Sequence, residues 1–314
     1  MATGKLKEYG YAGSFSEGLA VVRLDKQYGF IDKTGEEVIP CKYDYAGNFS
    51  EGLAEVKLKG KRGFIDKAGK EVVPCKYNWV ENFSEGLAAV ELKGEYGFID
   101  MTGKISVPCK YEYAYCFSEK LAAVMRKNKR GFIDQAGKVI IPCKYSDARN
   151  FSEGLAAVSQ KGKYGFIDQS GKVVIPYKYN DAWGFAGNLA AVKRIDQWGY
   201  IDKAGKDAIP FLYDVAWSFS EGMAVVGRED KWGFINQAGK EIVPCKYDDA
   251  SDFSEGLANV LADGKWGFIN KKGKEAIPCI YEDAWPFSEK LAAVMLDGKW
   301  IYINPSGECI ISCP

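Results

Sequence analysis

Histidine does not occur anywhere in the 314 residues. Its absence removes the usual general base near neutral pH, and with it the histidine-dependent triads and metal sites. Net charge is missing too: 42 Lys and Arg stand against 42 Asp and Glu, so no bulk field draws a polyanion or an anionic membrane. Neither nucleic acid nor membrane is expected as a partner. No apolar run reaches the roughly 20 residues of a bilayer span, and the opening stretch Met1 to Glu8 lacks the apolar core of a secretory signal. The expected location is the cytoplasm. There is no phosphate-cradling glycine loop and no dinucleotide fingerprint, so no cofactor is expected.

Cysteine is present nine times, but never as C-x-x-C, and without histidine no metal site is expected. Cys41, Cys75, Cys109, Cys143, Cys245 and Cys279 each follow the proline of one repeating unit, and Tyr177 and Phe211 interrupt that column. A column of single thiols fits small, buried apolar side chains in a reducing compartment better than a disulfide framework.

What the chain does have is a strict period. Gly29, Gly63, Gly97, Gly131, Gly165, Gly199, Gly233 and Gly267 recur every 34 residues, and Ile301 fills the ninth slot. A Phe-Ser-Glu-Gly corner keeps the same step from Phe15 to Phe287. After an N-terminal extension, 1–8, nine units fill 9–314 as one continuous array. The glycines and prolines inside short apolar runs exclude the helical repeat that shares this period. In Leu53 to Leu58 the Ala54 and Val56 slots are invariant across units while their neighbours vary, which predicts a strand with one buried face. In Arg62 to Asp66 the aromatic and Ile slots are adjacent and both fixed, which predicts a strand covered on both faces. Asp66 to Lys70 reads as a hairpin turn with Asp capping and Gly69 left-handed. A proline places Glu71 to Tyr77 at an edge.

The expected unit is therefore a three-stranded antiparallel meander, followed by a corner loop. Nine such sheets cannot stand alone and must stack. The expected all-β architecture is an open, twisted solenoid or superhelix; the alternative is a closed, nine-bladed, propeller-like ring.

At Trp232-Gly-Phe-Ile-Asn, then Gln-Ala-Gly-Lys-Glu-Ile-Val-Pro and Tyr-Asp-Asp-Ala with Phe-Ser-Glu-Gly-Leu-Ala, the chain resembles bacterial WG-repeat proteins, along essentially its whole length. It departs from them at Tyr28, Arg62, Tyr96, Arg130 and Tyr164 in the Trp slot, and in the Cys after Pro. The resemblance implies a β-rich repeat array and no general enzymatic activity, in a family whose ligands are mostly unknown.

No catalytic residue is expected. The repeated corner carboxylates, such as Glu17 and Glu51, occupy similar surroundings many times over, whereas a hydrolytic carboxylate pair needs two different ones. Solvated or turn-capping carboxylates are the expected reading, and a carboxylate-dependent hydrolase is the remote alternative. Seven of the eight tryptophans lie from Trp183 onward. Trp183, Trp217 and Trp285 occupy a corner column that elsewhere holds Gly47, Glu81, Tyr115, Arg149 and Ser251, the tolerance of an exposed position. With Tyr177 and Phe211 they are the candidate partner-binding residues. The expected function is a non-enzymatic scaffold that binds protein, with glycan stacked on exposed Trp and Tyr as the alternative.

Overall fold

The computed structural model describes residues 8–312. Residues 1–7 of the expected extension, and 313–314 of the last unit, lie outside the described residues. Nine antiparallel sheets follow one another, each with four strands in sequence order. The expected meander had three. In the fourth sheet the strands are Tyr113–Ala114, Leu121–Arg126, Lys129–Asp134 and Val139–Tyr145. The extra strand comes from the corner: Ala114 pairs with Val124, and Ser118 bridges back to Leu121. Between them Glu119 and Lys120 both take positive φ, so the Ser-Glu-Gly corner is a two-residue hairpin turn in place of a loop.

A four-stranded sheet has two internal strands, which corrects a second expectation. The variable column of the second strand is buried, not solvated: Ala89, Ala123 and Val225 sit in the core, Glu55 is 7% exposed and Asn259 2%. Glu55 is neutralised by an ion pair with Arg62, and Asn259 donates to the Ala284 carbonyl at 3.1 Å. The third strand is covered on both faces as expected, with Phe166 packed in a cluster that spans 155–201 and Ile167 in the neighbouring cluster.

Adjacent sheets pack face to face. Leu155, Ala157, Phe166, Ile175 and Tyr179 of one meet Ala182, Phe185, Ala190, Val192 and Ile201 of the next. The Gly slot has a steric cause: a Cβ on Gly131 would lie 2.4 Å from the Ile141 carbonyl oxygen and 2.6 Å from the Cys143 nitrogen, where the Pro-Cys bulge of the fourth strand crosses it. The Asp turn also behaves as expected, with Asp66 Oδ1 accepting from the Ala68 and Lys70 amides and Gly69 at φ 76°. The six cysteines of the column are half-buried, not buried, and the thiol of Cys143 points at the Val124 carbonyl, 3.8 Å away.

The chain divides into two compact units. One runs from Lys76 to Cys245 and the other joins residues up to Cys75 with those from Lys246 on. In the second of these the last sheet packs on the first. Leu291, Ala293, Trp300 and Tyr302 share a core with Ala12, Phe15, Val22 and Ile31. Ser288 donates to the Phe15 carbonyl (2.7 Å), Tyr302 to the Gly13 carbonyl (2.8 Å), and Glu289 accepts from the Gly18 amide (3.1 Å) and pairs with Lys33 (2.9 Å). The same bonds join the first sheet to the second: Ser16 to the Phe49 carbonyl, Glu17 to the Gly52 amide and to Lys67. An open superhelix would leave these two terminal faces apart. The alternative holds, and the fold is a nine-bladed β-propeller.

Candidate functional site: an arginine and aromatic cleft

In the seven blades whose first strand is two residues long, the residue following that strand is pinned by a backbone bond. The amides of Tyr115, Arg149 and Trp183 donate at 2.9 Å to the carbonyls of Ala123, Ala157 and Ala191. Three successive blades of the 76–245 unit thus present Tyr115, Arg149 and Trp183 at one register, and a cavity of about 670 Å3 opens among them. Its other walls include Arg130, Asp147, Asn150, Ser118, Ser152 and Gly184.

The side chains are tied into a chain of contacts from blade to blade. The Arg130 guanidinium lies 5.2 Å over the Tyr115 ring and forms an ion pair with Asp147, which also accepts the Tyr164 hydroxyl. Burial pushes the Tyr164 phenol up, so it serves as a neutral donor there. Arg149 donates from Nη2 to Asp181 at 3.0 Å and lies 4.1 Å over the Trp183 ring. On its own blade Trp183 stacks at 20° on Trp198, centroids 6.4 Å apart, which leaves it 37% exposed. Ser118 and Ser152 spend their hydroxyls on the Phe151 and Phe185 carbonyls, at 2.8 and 2.6 Å. Asn150 donates to Cys116 Sγ at 3.4 Å, and its buried Oδ1 accepts no bond from the protein.

Of the five residues singled out from sequence, the cavity contains Trp183 alone. Trp217 meets Trp232 edge to face at 5.6 Å. Trp285 belongs to the other unit, where it meets Tyr11 edge to face at 6.2 Å. Tyr177 and Phe211 lie half-buried on fourth strands, against the preceding blade. Burial, then neighbouring Tyr145, pushes the Tyr177 phenol up to about 12. Phe211 lies under the Arg194 guanidinium at 4.1 Å, in the space the Gly199 slot leaves open. The arginines of the cleft were not singled out from sequence. Their signal was spacing: a motif-slot Arg at 130 and a corner Arg at 149 precede Asp147 and Asp181 by about half a unit and about one unit respectively.

A family model described as WG containing repeat matches residues 7–28, 28–61, 63–96, 96–129, 131–164, 164–194, 198–232, 232–266 and 266–300. The chain belongs to this family. Each match of the WG repeat takes in one Gly slot or its flank, so the family pattern and the blade have the same length. Among solved structures, the WG-repeat chain is similar to one titled as a eukaryotic initiation factor, at 12% identity and TM-score 0.66, over 92% of this chain and 93% of that one. It is also similar to dihydro-heme d1 dehydrogenase NirN, at 14% identity and TM-score 0.50, over 97% and 77%. At such identities the likeness is one of fold. No curated protein matches the chain.

Proposed function

We propose that this WG-repeat propeller is a non-enzymatic scaffold that binds a protein partner. The observation that carries the reading is the cleft, which shares one exposed anchor, Trp183, and two guanidinium groups among three rigid blades. Tryptophan and arginine are the side chains that contribute most per residue where one protein grips another. None of the eight described cysteines is joined in a disulfide, which supports a reducing compartment such as the cytoplasm.

Carbohydrate is the competing ligand class, and the geometry of Trp183 weighs against it. A sugar needs a bare aromatic face, but Arg149 lies over one side of this indole and Trp198 stacks on the ring. The test is the double substitution Trp183→Ala with Trp217→Ala. A partner identified by mass spectrometry from captured native lysate should be lost by the folded variant, while its melting temperature stays within a few degrees. Unchanged capture, or recovery of defined glycans alone on an array, overturns the reading.

A further inference from the structure

We propose that the junction between the third and fourth blades, beside the cleft, takes an arginine side chain of the protein partner. The inference rests on the protein-scaffold reading. The third sheet is made of Trp79–Val80, Leu87–Leu92, Glu95–Asp100 and Ile105–Tyr111. Glu91 is the direct cross-strand partner of both Trp79 and Tyr96, so the three project from one face. Glu81, two residues beyond Trp79, lies on the same side and accepts the indole N–H of Trp79 at 3.4 Å. From the next blade Tyr113 lays its ring on Tyr96, with centroids 4.9 Å apart. Burial, then the charges of Glu91 and Glu81, push the Tyr96 phenol up, and burial followed by Glu81 does the same to Tyr113. Both carboxylates thus stand beside the rings.

What sets this junction apart is charge without a counterion. Each of the next two junctions joins an acid, an arginine and a ring: Asp147 with Arg130 over Tyr115, then Asp181 with Arg149 over Trp183. Here the acids and rings are present and the arginine is missing. Glu91 Oε1 accepts from neutral donors, the Asn78 side-chain amide at 2.8 Å and the Gly94 backbone amide at 2.6 Å. Among the described residues no Lys or Arg pairs with Glu81 or Glu91, and the Oε2 of each accepts no bond. A carboxylate beside aromatic faces attracts a cation. A guanidinium answers both features at once, since its edge donates to the oxygens while its plane lies on a ring.

Continuity with the cleft argues that one partner reaches both places. Tyr113 meets Tyr115 of the cleft wall edge to face at 4.8 Å, and Trp79 keeps 39% of its surface exposed.

The test uses the full chain and the peptide acetyl-Gly-Arg-Gly-amide, with citrulline or Lys in place of Arg, titrated at low salt and followed by saturation-transfer NMR. The Arg peptide should bind at least about fivefold more tightly than the citrulline peptide, which keeps the shape but not the charge. It should also bind more tightly than the Lys peptide, whose ammonium cannot lie flat on a ring. Glu81→Gln should weaken the Arg peptide by a similar factor and leave the citrulline peptide unchanged. Equal binding of Arg and citrulline, preference for Lys, no binding of the Arg peptide, or undiminished binding in folded Glu81→Gln each overturns the proposal. Should Glu81→Gln fail to fold, Glu91→Gln must weaken the Arg peptide instead. A captured partner that is released by Trp183→Ala with Trp217→Ala but retained by Glu81→Gln removes the arginine site and spares the scaffold.

Discussion

At the residue scale, two positions show how closely the backbone dictates identity. Gly131 faces main-chain atoms on the bulged strand, and those cannot withdraw as a flexible side chain could. Gly131→Ala should lower stability by about 1–3 kcal/mol in thermal or urea unfolding, as overpacking does. An indifferent variant would show that the bulge shifts freely. Ile301 is tolerated in the same slot because Ile301 pairs directly with Ser312 and Tyr302 with Ile311, so no Pro-Cys bulge crosses it. Asp252 is the opposite case, a residue at odds with its place. Its Oδ1 is buried without a partner, and burial raises the carboxyl. A carboxyl raised in the folded state favours folding only while protonated, and that advantage is lost as pH rises through its folded value. Asp252→Asn should therefore raise the melting temperature at pH 7 and bring no gain near pH 3. Equal gain at both would point to a cause other than charge. The requirement for Gly131 was legible in the sequence, because a slot that is glycine eight times over states a steric rule. The misfit of Asp252 was not. Its column also holds Asn48, Asn82, Asn150 and Ser14, and only the packing tells which member is left without a bond.

At the scale of the element, the Phe-Ser-Glu-Gly corner does more than turn the chain. Its Phe packs on the preceding third strand, as Phe98 and Phe117 do at 4.8 Å; its Ser donates to the next Phe carbonyl; and its Glu accepts the next turn's amide. The corner carboxylates thus bridge blades, where the sequence suggested capping within one turn. Periodicity identifies such a motif but is silent on whether it bonds within its own unit or to the next, since both partners recur at the same step. The consequence is a dependence on pH. Burial pushes the Glu289 carboxyl up, but bonds from Lys33 and the Gly18 amide outweigh that, and it ends below its ordinary value; Glu17 and Glu153 follow the same pattern. A depressed carboxyl contributes stability above its unfolded value, and that stability is lost as pH falls through the folded one. Glu289→Gln should cost less than about 1 kcal/mol at pH 7, because the pair is partly solvated. The deficit should vanish near pH 3 in parallel melting curves, and a deficit that persists there would assign the loss to shape.

At the scale of the molecule, the strand-rich array, its edge prolines and its unit length were all readable from one period. The meeting of the first and last blades was not, because an open and a closed stack have the same repeat. What decides between them is the bonding of Ser288, Glu289 and Tyr302 to the first blade, which copies an interior junction. Removing the ninth unit, from residue 282 on, should therefore be far worse than trimming the end of an open array. The truncated protein should bind a hydrophobic dye and lose cooperative unfolding, and a sharp melt only slightly lowered would contradict the junction. The cleft was partly legible: Trp183 stood out by composition, while Arg130 and Arg149 needed the fold to bring them onto the rings of Tyr115 and Trp183. The first-to-last junction also sets a schedule for synthesis. Ala12, Phe15, Val22 and Ile31 emerge from the ribosome early, yet the side chains that cover them, from Leu291 to Tyr302, are made about 270 residues later. At roughly 5–20 residues per second, that apolar face waits on the order of 15 to 55 s uncovered. A nascent chain of this protein is thus an aggregation hazard for most of its own translation, and whatever attends it on the ribosome should be found on the first blade.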